Sequence, residues 1–400
     1  MRPVYAVVIP LIGHIWAKFY GTLGSSWIAT MQVVELDGAT ARAAAWQTGA
    51  LMSIQAVLGG FTVTWMYGRW PAVRHAWPLV LIIAGIHGVG KAVIARSNPE
   101  LAAFIPATAA MLVLYPLSRW RRFAEPAEAI TERPAMRTQG GSGKDDVKPP
   151  MGQGMSYFPY VLLTVIALSV SIIEPLNRAL GAFKMGLAFP KVATGYAVTT
   201  EGAEAYSPLA PLTHPGASLT VAALIAWWVY HARGYYDAWS RAGGTKRGGV
   251  LHGLLKGAIP ASVPILAFLV MASVMNHSGQ NETLALGIAA VAPAAVFAAL
   301  SNGIGVVGAF TTSSSTSSNV LFTDLQVTVA RLKKLPVGAI IAAQSAGGAI
   351  GNAIAPANAV MGASTANVSG QEGAIIRKTI PWTLAAFVLT ATLLLVLLTE

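Results

Sequence analysis

The 400-residue sequence contains no cysteine, which excludes a disulfide framework and any Cys-ligated metal centre. Charge is almost as scarce. Lys, Arg, Asp and Glu together make up 11% of the chain, against about 25% in an ordinary soluble protein. Of these 43 charges, 12 fall in the stretch 119–148, so long windows elsewhere carry none. A soluble enzyme is excluded on that ground. An intramembrane enzyme finds little support either, because there is no His pair at metal-ligand spacing and no usable Ser/His/Asp arrangement. The sequence asks for no cofactor and no metal. What it has instead is apolar length: 54% hydrophobic residues and a mean hydropathy of +0.57. Apolar runs lie near 4–31, 46–67, 77–95, 101–118, 157–174, 218–232, 250–275, 283–300, 336–364 and 380–399. The reading is an all-α, polytopic helical membrane protein of about ten spans, some of them broken or re-entrant.

The formal net charge of +11 follows from where the basic residues lie. Arg119, Arg121, Arg122, Arg133, Arg137, Lys144 and Lys148 form one cluster, Arg233, Arg241, Lys246 and Arg247 a second, and Arg331, Lys333 and Lys334 a third. Short basic loops between apolar runs are read as cytoplasmic. No interleaved aromatic or base-reading pattern supports nucleic acid as a partner; the lipid bilayer is the expected surroundings. The segment 119–156, rich in Pro, Gly and charge, reads as a flexible cytoplasmic linker between an N-terminal membrane bundle (1–118) and a C-terminal one (157–400). Carried along the chain, the same charge rule returns Arg331–Lys334 to the inside only if 302–323 enters and leaves by one face. That is the reason to expect a re-entrant segment there. The apolar start continues past Trp16 with no small-residue cleavage site, so it reads as a retained span.

The chemistry concentrates in three segments. Thr311 to Ser318 are eight consecutive hydroxyl residues, followed by Asn319 and preceded by Gly303, Gly305 and Gly308. Backbone that leaves helical geometry inside a bilayer survives only where its polar groups are met by protein or by a water-lined cavity. Broken helices of this kind aim their N-termini at anionic substrates in many secondary transporters. Hydroxyls that merely bond back to a helix or join two helices are the plainer reading, and eight in a row exceed that need. The second segment, Gln344 to Asn352, is Gly-broken at Gly347, Gly348 and Gly351 and ends in Pro356-Ala357-Asn358. Its glycines serve close helix packing, while its amides must find partners away from water. The third, Gly21-Thr22-Leu23-Gly24-Ser25-Ser26, echoes the first weakly. Candidate substrate-binding residues are therefore Thr312, Ser315, Thr316, Ser317, Ser318, Asn319, Gln344, Ser345, Gly347, Gly348, Asn352, Gly21, Thr22 and Ser25. Among ionisable groups, Asp324 reads either as a proton site or as an aqueous-end residue. His14 reads either as a relay or as a packing residue, and Lys18 as a snorkelling side chain.

At these residues the chain resembles the L-lactate permease family of secondary transporters. Gly308-Ala-Phe-Thr-Thr-Ser-Ser-Ser-Thr-Ser-Ser-Asn-Val-Leu-Phe322 is similar to that family's Gly-Ala-Phe-x-Thr-Gly-Ser-Asn-x-x-Ser-Asn-Val-Leu-Phe. Leu325-Gln326, Ala343 to Gly348, Ala355-Pro356, Gln371-Glu372-Gly373 and the Gly13-His14 segment extend the likeness over most of the chain. Ser313 stands where the family usually has Gly, and Ser315 where it usually has Asn. The family's pattern also has further N-terminal spans and a glycine motif ahead of Gly13-His14. The resemblance therefore implies an N-terminally shortened form, a misassigned start, or spans supplied from elsewhere. It further implies an inner-membrane carrier importing lactate, glycolate or a similar small 2-hydroxy monocarboxylate by proton symport. A sodium-coupled carrier of another organic anion, and a non-transporting receptor or partner subunit, are the alternatives.

Overall fold

The computed structural model describes residues 1–124, 130, 132–136, 151–193, 199–241, 263, 266–267 and 270–398. The span expected at 250–275 and the linker expected at 119–156 lie largely outside the described residues. Twelve helices matter here: α1 Pro3–Gly13, α2 Gly21–Met31, α3 Gly38–Ala95, α4 Phe104–Ser118, α5 Gln153–Ile172, α6 Pro215–Ala232, α7 Gln280–Val291, α8 Ala294–Thr312, α9 Ser315–Leu332, α10 Val337–Ala353, α11 Pro356–Thr365 and α12 Glu372–Leu397. The protein is all-α apart from two small two-stranded pairings among the described residues.

Continuous helix does not reproduce the ten spans. Among the described residues, five helices are long and apolar enough to cross a bilayer, or six if the bent pair α10–α11 counts as one span. The difference has local causes. The run 4–31 is interrupted after Gly13 by a 3₁₀ turn at Ile15–Ala17, and Leu23 and Gly24 take left-handed backbone (φ 53° and 72°). At Gly24 a β-carbon would stand 2.7 Å from the Glu100 backbone, so only glycine fits. The run 283–300 divides at Pro293 between α7 and α8. In the other direction, 46–67 and 77–95 fuse into α3, a 58-residue helix kinked at Gly68 and Arg69 (φ 55°).

Two compact units divide the chain. One contains Met1–Gln139, Val192–Thr200 and Phe268–Glu400; the other contains Gly140–Lys191 and Glu201–Ala267. The N-terminal 139 residues thus pack with 268–400 and do not form a bundle of their own. In that first unit the arms of α3 fold back on each other, with Gly49 against the Ala92 backbone and Gly88 against Ser53. Pro78 has no N–H, so the Arg74 carbonyl one turn earlier lacks its helical donor; Arg122 Nη2 donates to it at 2.6 Å. At the centre lies α10, buried from Gly338 to Ala353 without interruption. A helix apolar or small on every side is a core helix, and its glycines set how close its neighbours come. In the second unit α5 packs on α6, where Tyr230 Oη donates to the Met155 carbonyl at 2.6 Å. β1 (Met185–Phe189) pairs antiparallel with β2 (Ala203–Leu209). The outer sides of these helices expose Tyr160, Val161, Leu224 and Trp228, which suits a lipid environment.

The start of α3 is fixed by Asp37. Its Oδ1 accepts from the amides of Ala39 and Thr40 at 2.9 and 3.0 Å, and Oδ2 accepts from Thr40 Oγ1 at 2.6 Å. The Thr40 hydroxyl first, then the two amides, hold the Asp37 carboxyl below its ordinary range. The cap is in place above the pKa of a free aspartate and is lost as pH falls through the lower value of the folded state. Hydrogen exchange at Ala39 and Thr40 is expected to lose protection on acidification in the wild type. In Asp37→Asn that loss disappears.

Candidate functional site

Residues 294–332 form a helical hairpin. α8 ends at Thr312, Ser313 turns the chain in left-handed backbone (φ 56°), and Ser314 caps α9 by accepting from the Ser317 amide at 3.1 Å. The legs run antiparallel, with Ser301 meeting Gln326 and Gly305 meeting Ser318. Thr312 Oγ1 bonds inside the tip, donating to the Gly308 and Ser314 carbonyls.

α10 lies against both legs. A β-carbon at Gly347 would stand 2.0 Å from the Asn302 carbonyl oxygen, and one at Gly351 would stand 2.1 Å from that of Val306. A β-carbon at Gly305 would stand 2.3 Å from the Gln344 carbonyl oxygen. This contact of backbone on backbone brings a polar network together. Gln344 Nε2 donates to the Ser318 carbonyl (3.1 Å), Ser318 Oγ (3.0 Å) and Asn319 Oδ1 (3.4 Å). Gln344 Oε1 accepts from Gln326 Nε2 at 2.5 Å, which also reaches the Ser301 carbonyl at 3.2 Å. Ser318 Oγ donates to the Gly305 carbonyl at 3.0 Å. Asn319 Nδ2 reaches Ser26 Oγ on α2 at 3.5 Å, so the N-terminal broken segment joins the hairpin.

A second junction ties the breaks to each other. Asn352 Nδ2 donates to the Ser313 carbonyl at 2.9 Å. Asn358 Nδ2 donates to the Asn352 carbonyl at 2.9 Å and reaches that of Ser313 at 3.4 Å. The hairpin tip therefore sits at the 42° bend between α10 and α11, and the N-termini of α9 and α11 start from adjoining points. Neither helix has an acidic residue in its first turn. The positive ends of two helix dipoles thus meet no carboxylate in their own first turns, an arrangement that favours an anion.

Of the residues read from sequence, Ser318, Asn319, Gln344 and Asn352 meet directly in these networks. Gly348 faces Asn319 Oδ1 and the Ser315 backbone. Ser315 and Ser317 are buried in the first turn of α9, with Thr316 half-buried beside them. Ser345 is buried too, and its Oγ has no partner among the described residues. Gly347 is occupied by Asn302. Gly21 and Ser25 lie in the first turns of α2, while the Thr22 side chain lies outside the described residues. Asp324 stands apart. Roughly 10 Å along α9 from Ser317, it accepts from Asn281 Nδ2 of α7 at 2.9 Å. His14 caps the C-terminus of α1. Sequence reasoning did not place Ser301, Gln326, Gln55 or Lys91. Gln55 Nε2 donates to the Ala346 carbonyl at 3.1 Å. The signal for Lys91 was available, since a lone charge within an apolar run is a functional hint by default.

An integral membrane protein whose polar chemistry is gathered at broken helices is the class this architecture defines. Within it the family is specific: the L-lactate permease family profile matches residues 1–399, and the chain belongs to that family. It is 26% identical to the glycolate permease of Escherichia coli K12, over 95% of this chain and 68% of that protein. It is 24% identical to an L-lactate permease of Halalkalibacterium halodurans, over 97% and 69% respectively. A putative L-lactate permease of Haemophilus influenzae is 32% identical across 30% of this chain and 23% of its own length. These relatives are permeases, and the chain is a transporter-family protein, not an enzyme. No solved structure matches.

Proposed function

We propose that this protein is a secondary active carrier importing lactate, glycolate or a similar small 2-hydroxy monocarboxylate, with a proton, across the inner membrane. The observation that carries this reading is the junction of two broken helices at Ser313. Two carboxylate-free helix N-termini start there beside the amide and hydroxyl network of Ser318, Asn319 and Gln344. Amide and hydroxyl donors hold a carboxylate, and a serine or amide oxygen accepts from the 2-hydroxyl. The residues proposed to line the path are Thr312 and Ser315 to Asn319 on the hairpin, Gln344, Ser345, Gly348 and Asn352 on α10, and Gly21 to Ser25 from α2. Asp324, away from the hairpin tip, and His14, at the end of α1, are the candidates to carry the proton.

In proteoliposomes with an imposed pH gradient, inside alkaline, the purified protein is expected to accumulate labelled lactate or glycolate. Ser318→Ala, Asn319→Ala and Gln344→Ala combined are expected to lower initial uptake by roughly a thousandfold, at about tenfold for each binding hydrogen bond removed. Uptake indifferent to the triple change, or none by the wild type, defeats the reading. A sodium-coupled mechanism draws support from the buried oxygens Asn302 Oδ1, Gln326 Oε1 and Gln55 Oε1, which have no donor among the described residues. Replacing sodium with choline separates the two: proton symport continues and sodium coupling stops.

A further inference from the structure

Lys91 is 0% exposed in the second arm of α3. Among the described residues its Nζ has one hydrogen-bond partner, the carbonyl of Trp16, in the 3₁₀ turn where the first apolar run breaks. Among the described residues no carboxylate is paired with it. The ion pairs among the described residues join Arg178 to Glu174 and Lys191 to Glu201, while Asp324 is bound to Asn281 and Asp37 caps α3. A buried lysine near a helix end is ordinarily relieved by snorkelling. Here the seam around it is shut, because Gly49 meets the Ala92 backbone and Gly88 meets Ser53 at distances that leave no room for a β-carbon. An ammonium enclosed in this way is costly unless an anion accompanies it.

Space for an anion lies one turn of α3 away, beside residues that neighbour Lys91. A cavity of about 240 Å³ lies between Trp16 and His87, with Ala56, Gly60, Thr64 and Ala84 in its walls. His87 is one turn from Lys91 on the same face of α3, and Trp16 both bounds the cavity and holds the ammonium. The walls are mostly apolar, which suits a short alkyl group, and His87 is the wall residue that stands one turn of α3 from Lys91.

We propose that Lys91 provides the counter-charge for the carboxylate of a small monocarboxylate entering the hollow between Trp16 and His87, the Trp16 carbonyl holding the ammonium when that hollow is empty. This is an anion subsite distinct from the hairpin junction, and it rests on the carrier reading for its substrate class.

The absence of cysteine makes Lys91→Cys a unique thiol. The variant is expected to lose about tenfold or more of lactate uptake, the usual worth of a charged hydrogen bond. Modification with an ethylammonium methanethiosulfonate, which restores a cation at the same place, is expected to recover uptake; the neutral methyl reagent is not. Lactate is expected to slow the modification. Unchanged half-saturation in Lys91→Cys, equal recovery with both reagents, or no recovery with the ammonium reagent in a monodisperse protein overturns the proposal. Should the variant not yield monodisperse protein, acetylation of Lys91 in the wild type by a permeant anhydride, read by mass spectrometry, decides the matter. Saturating lactate slows it if the proposal holds and leaves it unchanged if not. A wild type that accumulates neither lactate nor glycolate defeats the carrier reading separately, and the wild-type acetylation measurement still tests the subsite.

Discussion

Gly347→Ala and Gly351→Ala are each expected to destabilise the folded protein by about 3 kcal/mol or more, the upper range for forcing extra volume into a packed core. The reason is the identity of what a methyl would strike. At Gly347 it is the carbonyl oxygen of Asn302, and at Gly351 that of Val306. Both belong to the backbone of α8 and cannot rotate aside as a flexible side-chain end would. The two helices would have to separate, and that movement would draw Gln344 away from Ser318. Gly85→Ala is the control. It adds the same methyl to α3 where nothing lies within 4 Å, and helix propensity favours the change by up to about 1 kcal/mol. Thermal unfolding of purified protein, followed by size-exclusion monodispersity after heating, is expected to show a large drop for Gly347→Ala and Gly351→Ala and none for Gly85→Ala. Equal melting of all three would mean that α8 and α10 are not in the contact described.

That contact explains why part of the fold was legible in the sequence and part was not. The hydroxyl run at 311–318 announced a break because eight such residues have no use in a plain span, and the chain does turn at Ser313. The glycines of α10 announced close packing. They could not say which helix they packed against or on which side, since α10 is buried all round and has no solvent-facing side to orient it. Continuous helix departs from the counted spans for a related reason. Hydropathy averages over a window and does not sense a left-handed residue such as Leu23, or a 3₁₀ turn at Ile15–Ala17. It also has no means of joining 46–67 to 77–95 across a kink that keeps both arms helical.

The candidate site divides along the same line. Gln344, Asn352 and Asn319 could be picked out because an amide in an apolar segment needs a partner. Their actual partners lay beyond the reach of pattern reading: Ser26 is 293 residues from Asn319 in the chain, and Gln55 is 291 from Ala346. Asp324 looked adjacent to the serine run in sequence, but a helix that begins at Ser315 carries it away from the tip at about 1.5 Å per residue and delivers it to Asn281.

Gln344 is where stability and transport can be separated. Gln344→Leu keeps the side-chain volume and removes the donor to Ser318 and Asn319 together with the acceptor for Gln326 Nε2. Leaving buried polar atoms without partners costs about 1–3 kcal/mol for each group stranded, so the single variant is expected to lose roughly 2–4 kcal/mol. Gln326 keeps the Ser301 carbonyl as an acceptor, which limits the damage at that end. The double variant Gln326→Leu with Gln344→Leu removes both members of the pair. Apolar replacement of both partners is far less costly than orphaning one, so the double variant is expected to be more stable than the sum of the singles, with a coupling of about 1 kcal/mol or more in a double-mutant cycle. Uptake is expected to behave oppositely. If Gln344 holds the hairpin's first turn in position for an anion, the double variant melts higher than the sum of the singles requires while initial uptake of lactate stays down by roughly a hundredfold, as two lost hydrogen bonds would give. Recovery of uptake in step with recovery of melting temperature would reduce the network to a structural clasp, and the anion would then have to be held by the helix N-termini and by Lys91.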